Sequence, residues 1–210
     1  MNNKTEIISL SHPDVFSQAA AVIQADGIVA FPTDTVYGIG VSAFNRKAIE
    51  KIYNVKGRSH LKAIPILVGD VEDLAQITLP IPLYIQQIID NFWPGALTLV
   101  LPLLPELPGN LSPRPTVGLR LPDHDQVRRL LREIGPLAAT SANLSGEPSA
   151  LTADEVLQQL EGRIDLILDG GPVPGGQAST VLDCSGEKLK VLREGPISFD
   201  SILRVLDAKV

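Results

Sequence analysis

The chain has 210 residues, 44 % of them hydrophobic and 4 % aromatic, and its 18 Lys and Arg against 24 Asp and Glu leave a formal net charge of −6. That size and apolar share suffice for one sizeable core, and the negative balance excludes a molecule whose whole surface gathers nucleic acid, so any anion site has to be a local basic pocket. A single cysteine, Cys184, excludes an intrachain disulfide, and His12, His60 and His124 lack the spacing of a zinc set, a pattern that fits a reducing cytoplasm.

Residues 1–14 contain no apolar run of signal-peptide length, which argues against export. The most apolar later stretch, 96–109, is broken by prolines well short of the roughly 20 residues that span a bilayer. No membrane partner is expected. Val15, Ala19, Val22 and Ile23 share one face of a helix predicted over 14–27, with Asp14 as N-cap and Gly27 as the stop. A short buried strand follows at 27–33, then a helix over 45–58 carried by Ile49, Ile52 and Tyr53 and ending near Gly57. Next come a strand at 63–69, helices at 71–77 and 81–93, strands at 96–103 and 117–122, a helix at 124–135 and a strand at 136–142. The prolines between 102 and 115 read as an ordered surface loop. Thr152 with Glu155 three residues on has capping-box spacing and opens a helix over 152–162. Strands at 165–171, 179–186 and 188–195, the last two suited to a hairpin, and a helix at 198–207 complete an α/β chain with some antiparallel pairing. With no repeat and no dividing linker, 1–210 reads as a single domain.

No P-loop, no G-x-G-x-x-G and no G-x-S-x-G occurs, so the chemistry has to sit in polar clusters at strand ends, where open α/β sheets bind ligands. In "FPTDTVYGIG", Thr33 and Thr35 offer hydroxyls while Gly38 and Gly40 admit a close backbone approach; a plain polar turn with Tyr37 in the core fits the same residues. Lys56 and Arg58 place two cations on a Gly-containing loop, extended by Lys62, suited either to a polyphosphate or to a helix C-terminus. Arg120, between Leu119 and Leu121, must reach solvent, a buried carboxylate or a bound anion to offset its desolvation. "AATSANLSG" lines a cavity or caps a helix with Ser141 and Asn143, and "GGQASTVLD" and "LREG" bring Ser179, Thr180 and Arg193 to further strand ends.

In this order, "FPTDTVYGIG", the Lys-x-Arg of "KGR", "FWPGALTLVL", "VGLRLP", the Ser-x-Asn of "TSANLSG", "ASTVLD" and "LREG" resemble the YrdC-like family, the threonylcarbamoyl-AMP synthases. The resemblance covers about Gly27 to Pro196. It implies a single-domain α/β fold, a twisted mixed sheet flanked by helices with a deep basic cavity, and condensation of L-threonine, bicarbonate and ATP, with Mg2+ on the phosphates. The product would serve threonylcarbamoylation of tRNA adenosine by downstream proteins. By family match, Thr35, Arg120 and Ser179 hold threonine. Lys56 and Arg58 act in catalysis, and with Lys62, Thr116, Ser141, Asn143, Ser149 and Arg193 they hold ATP. The chain departs from many relatives at Ser59 and Ala63, where they carry proline. Its end at Val210 matches the short form without the additional C-terminal domain. Two other readings remain: an RNA-binding or ribosome-assembly module, against which the net charge and the few aromatics stand, and a paralogue with another small substrate.

Overall fold

The computed structural model describes residues 4–175 and 177–207, so Gly176 of the Gly-rich loop before Ser179 lies outside the described residues. In chain order the elements are β1 (Glu6–Ser9), α1 (Val15–Gln24), β2 (Val29–Phe31), β3 (Gly38–Ser42), α2 (Arg46–Lys56) and β4 (Ile66–Leu67). A 3-10 turn (Val71–Gln76), α3 (Leu83–Phe92), β5 (Leu97–Pro102), β6 (Thr116–Arg120), α4 (Asp125–Ile134) and β7 (Leu137–Ser141) follow. α5 (Ala153–Leu160), β8 (Leu166–Asp169), β9 (Thr180–Asp183), β10 (Lys190–Arg193) and α6 (Phe199–Asp207) complete the chain. Among the described residues the strands form one mixed sheet in the order β1-β8-β2-β3-β7-β4-β6-β5-β9-β10. No described helix is long and apolar enough to cross a membrane.

Strand alternation divides the sheet into two unlike faces. Ile39 and Val41 of β3, Ala138 of β7, and Leu97, Leu99 and Leu101 of β5 point to one side, into the larger core with apolar residues of α2, α3, α5 and α6. On the other side α1 and α4 cover β2, β8 and the start of β7, where Val15, Ala19, Val127, Leu130 and Leu131 meet Val29, Phe31, Leu137 and Leu168. Each Val, Leu, Ile or Phe side chain taken from water in this way contributes about 1.5–3 kcal/mol. Past α1 and α4 that second face runs on uncovered, and a cavity opens there.

Local chemistry explains where the helices stop. The first ends at Gln24, and its reversal is made by Asp26 at φ 61, with Gly27 N–H bonded to Val22 O and Asp26 N–H to Ile23 O. The stop is thus Asp26 rather than Gly27, and Asp14, although at the N-cap position, makes no side-chain cap bond. α2 is capped by Asn45, whose side chain accepts from Lys47 N and Ala48 N, and it ends where Gly57 takes φ 60. The capping box at Thr152 is half formed: its hydroxyl accepts from Glu155 N at 3.2 Å, while the Glu155 carboxylate takes the N–H of Leu151 instead. The segment expected as a helix at 71–77 is a 3-10 turn, and the strand expected at 63–69 is regular only at Ile66 and Leu67, with Pro65 O accepting from Ala139 N and Val68 N donating to Arg120 O on either side. Two strands were absent from the sequence reading, β1 and β3. The first is an edge with mostly exposed residues and no apolar period, and the second is glycine-rich because the Phe31 ring lies against Gly38 and Gly40. That ring fills part of the room these glycines were expected to leave for a ligand.

Candidate active site

The cavity has a volume of about 390 Å³ and lies across adjacent strands β3, β7, β4, β6, β5 and β9. Period-two alternation aims Ser141 and Ala139, Arg120 and Gly118, Thr98 and Val100, and Val181 at it. The turn between β2 and β3 closes one side with Thr33, Thr35 and Val36, the loop after α2 contributes Arg58 and Ala63, and Ser149, Ser179 and Arg193 complete the polar wall. Arg58, Arg120 and Arg193 line it and, among the described residues, no acidic side chain does.

Arg120 is the most constrained of these groups, only 7 % exposed. Its Nε donates to Gly95 O at 2.9 Å, Nη1 to Thr35 Oγ1 at 3.0 Å and Nη2 to the Asp34 carboxylate at 2.6 Å. A guanidinium has five N–H groups, so one N–H on each terminal nitrogen stays uncommitted. Burial pushes Arg120 below its ordinary value and Asp34 opposes that. Of the three outcomes the sequence allowed for this residue, it has reached a buried carboxylate. The hydroxyl of Thr33 donates to Val36 O at 2.7 Å and accepts from Thr35 N and Val36 N, so it has no proton to give Thr35 Oγ1, 3.0 Å away, which accepts from Arg120. Thr35 is therefore left with acceptor capacity toward the cavity.

At the far end Ser179 Oγ lies 2.8 Å from Thr98 Oγ1 and takes a bond from Arg193 Nη2, which with Nε also holds Ser179 O. Burial, and then the nearby Arg120, lower the Arg193 pKa. A Cβ on Gly175 would fall 1.8 Å from Thr35 O, so only glycine lets this loop lie on the β2–β3 turn. Tyr37, fully buried as the plain-turn reading expected, pins the same loop by donating to Gly171 O at 2.8 Å and accepting from Gly170 N.

The two cations of the Lys-x-Arg pair part company. Arg58 reaches the cavity wall after Nε and Nη2 bond the carbonyls of Lys62 and Ala63. Lys56 is 3 % exposed and is not on the wall. Its Nζ donates to the carbonyls of Ser141 and Asn143, and its own carbonyl accepts from Ser145 N. Burial, and after it Arg58, push Lys56 down to about 7. Ser59 and Ala63 do not disorder the loop between: Lys62 N bonds Ser59 O at 3.0 Å, and His60 stacks on Tyr53 with its Nε2 2.8 Å from Glu50.

The structure thus brings Thr35, Arg58, Arg120, Ser141, Ser149, Ser179 and Arg193 to one cavity, from segments far apart in the chain. It leaves four expected residues off the wall. Lys56 and Asn143 are buried behind Ser141, Asn143 donating to Leu144 O and Glu147 O; Thr116 shares the face of Arg120 but sits at the other end of β6; Lys62 is exposed on the loop. Asp34 and Thr98 were missed. Asp34 sat inside a quoted motif, but its partner is 86 positions away. Thr98 shares a strand face with Val100, a signal that period two could have supplied.

These features define a ligand-binding α/β domain whose site lies on the uncovered face of a mixed sheet. The chain belongs to the Sua5/YciO/YrdC family, whose model, described as telomere recombination, matches residues 21–195. The threonylcarbamoyl-AMP synthase of Bacillus subtilis is 44 % identical over 208 residues, 96 % of this chain but 59 % of that protein, so this chain spans about three fifths of that relative. A Mycobacterium tuberculosis relative is 38 % identical over 96 % of this chain and 95 % of its own length. Among solved structures, Pyrococcus abyssi Sua5 complexed with L-threonine superposes with TM-score 0.91 at 34 % identity, over 96 % of this chain and 60 % of that one.

Proposed function

We propose that this chain is a nucleotidyltransferase that condenses L-threonine, bicarbonate and ATP into threonylcarbamoyl-AMP and pyrophosphate, in the cytoplasm, for threonylcarbamoylation of tRNA adenosine by downstream proteins. The observation that carries the reading is Arg120, a buried guanidinium with N–H groups to spare beside the Thr35 acceptor, on the same cavity as Ser141, Arg58 and Arg193. Its fork suits the threonine carboxylate, and Thr35 and Ser179 suit the amine and hydroxyl. The amine adds to bicarbonate with loss of water, or to CO2 with loss of a proton, the carbamate oxygen attacks the α-phosphorus, and pyrophosphate leaves. Arg58 and Arg193 stabilise the phosphate charge, while Ser141 and Ser149 donate to the nucleotide. Catalysis is by positioning and electrostatics, with no covalent intermediate. Magnesium would neutralise charge on the phosphates. Among the described residues no three His, Cys, Asp or Glu side chains gather for an ion.

Pyrophosphate release measured with each substrate withheld in turn tests this: release should require all three, and release indifferent to threonine would overturn the proposal. Arg58→Ala should weaken ATP by about 1.5 kcal/mol, the low end for a charge-assisted contact, because the loop carbonyls already occupy part of the guanidinium. Calorimetry reads this, and unchanged ATP affinity in a folded variant would remove Arg58 from the site. Valine should be rejected because it leaves a buried polar group unpaired, whereas serine should lose on the order of 1 kcal/mol for its missing methyl. Equal turnover of threonine, serine and valine would favour a paralogue with another substrate.

A further inference from the structure

We infer that Asp34 is a positioning residue that aims the Arg120 guanidinium at a carboxylate ligand, an inference that rests on the threonine-binding reading of the cavity. Asp34 itself is not on the cavity wall; its side chain, 15 % exposed, accepts from Arg120 Nη2. The guanidinium plane is fixed at three corners, by Gly95 O on Nε, Thr35 Oγ1 on Nη1 and Asp34 Oδ1 on Nη2. Gly95 and Thr35 between them touch only Nε and Nη1, so Asp34 is the protein group that orients Nη2. The fork is planar and rigid, so its nitrogens move together; without Asp34 the plane is held only along its Nε–Nη1 edge and can tilt about that edge, which swings Nη2 off a second carboxylate oxygen and turns a bidentate grip into a single contact.

A carboxylate already on the guanidinium has a second consequence. It offsets the charge of Arg120 within the protein, so the site binds a ligand carboxylate by geometry more than by net charge. Free inorganic anions without a matching pair of oxygens are then poor competitors. The neighbouring Arg193, which bonds no carboxylate among the described residues, turns its charge to the cavity.

The test is calorimetric titration of threonine and ATP, with steady-state kinetics, on wild type, Asp34→Asn, Asp34→Glu and Arg120→Lys. Asp34→Asn keeps the shape and should raise the threonine Kd and KM about tenfold while leaving the ATP KM and the kcat at saturating threonine near wild type. Asp34→Glu keeps the charge but shifts it by one methylene, so it should hold the melting temperature and still lose threonine affinity, an outcome a purely structural ion pair would not give. Combined with Arg120→Lys, Asp34→Asn should cause no further loss, since it acts only through Arg120. Lowered melting temperature with wild-type threonine affinity in both Asp34 variants, or losses that multiply in the double variant, would overturn the inference. A wild-type chain that binds no threonine would overturn the functional reading and this inference with it, whereas intact wild-type binding with unaffected Asp34 variants overturns the inference alone.

Discussion

Arg120→Ala is expected to be among the most damaging single changes in this chain, lowering stability by about 3–5 kcal/mol, because it leaves the Asp34 carboxylate without its buried partner. Arg120→Lys separates stability from binding. A lysine can keep a charge near Asp34 but cannot also serve Gly95 O and Thr35 Oγ1, so a modest fall in melting temperature should accompany it. Threonine should bind at least about tenfold more weakly, or about 1.4 kcal/mol, because an ammonium cannot reproduce the planar fork. ATP affinity should move far less. Dissociation constants for both ligands beside the melting temperature check this, and a destabilised Arg120→Lys with wild-type threonine affinity would remove Arg120 from the threonine site.

The second large effect belongs to Lys56. Lys56→Met should destabilise by several kcal/mol, since the buried carbonyls of Ser141 and Asn143 lose their donor at about 1–3 kcal/mol each. The pH dependence should carry a distinctive sign. With Lys56 at about 7 in the folded chain against an ordinary 10.5, the unfolded chain binds the extra proton between those values. Stability from this group therefore rises with pH across that window, by at most about 1.4 kcal/mol per pH unit, and below it the cost of the buried charge is borne in full. Cys184, buried and pushed up to about 12 from 9.0, contributes the opposite sign above its ordinary value. Urea titrations of wild type and Lys56→Met at several pH values isolate the lysine as the difference between the two curves. A difference that does not grow between pH 7 and 9 would show that Lys56 stays charged in the fold, held so by its carbonyl partners. The same variant should weaken nucleotide binding through Ser141, which Lys56 holds from behind, so adenosine and ATP should lose affinity by similar factors; a loss confined to ATP would place the ammonium on the phosphates instead.

Periodicity alone was enough for most of the helices, because their apolar residues recur at helical spacing and their ends carry local signals such as Asn45 or Thr152. The buried strands around Val29, Leu99, Leu119 and Ala138 were legible for a similar reason, as short apolar runs between turns. The glycine strand at Gly38–Ser42 was not, because what makes it a strand is pairing with β2 and β7, and what makes it glycine is a ring that folds onto it from Phe31. The exposed edge at Glu6–Ser9 likewise exists only because β8 is beside it.

For the site, the residue types and the order of the motifs were written in the chain, and they were enough to mark Thr35, Arg58, Arg120, Ser141, Ser149, Ser179 and Arg193 as candidates. Which cation faces the cavity was not. Lys56 and Arg58 are two residues apart and both cationic, so the sequence offers either to an anion, yet a helix that ends between them turns one inward onto carbonyls and leaves the other on the wall. The pairing of Asp34 with Arg120 is a tertiary fact of the same kind. Sequence specifies which groups can be charged, but desolvation makes a buried charge depend on whatever partner the packed chain delivers, and that partner is chosen by strand order rather than by neighbours in the sequence.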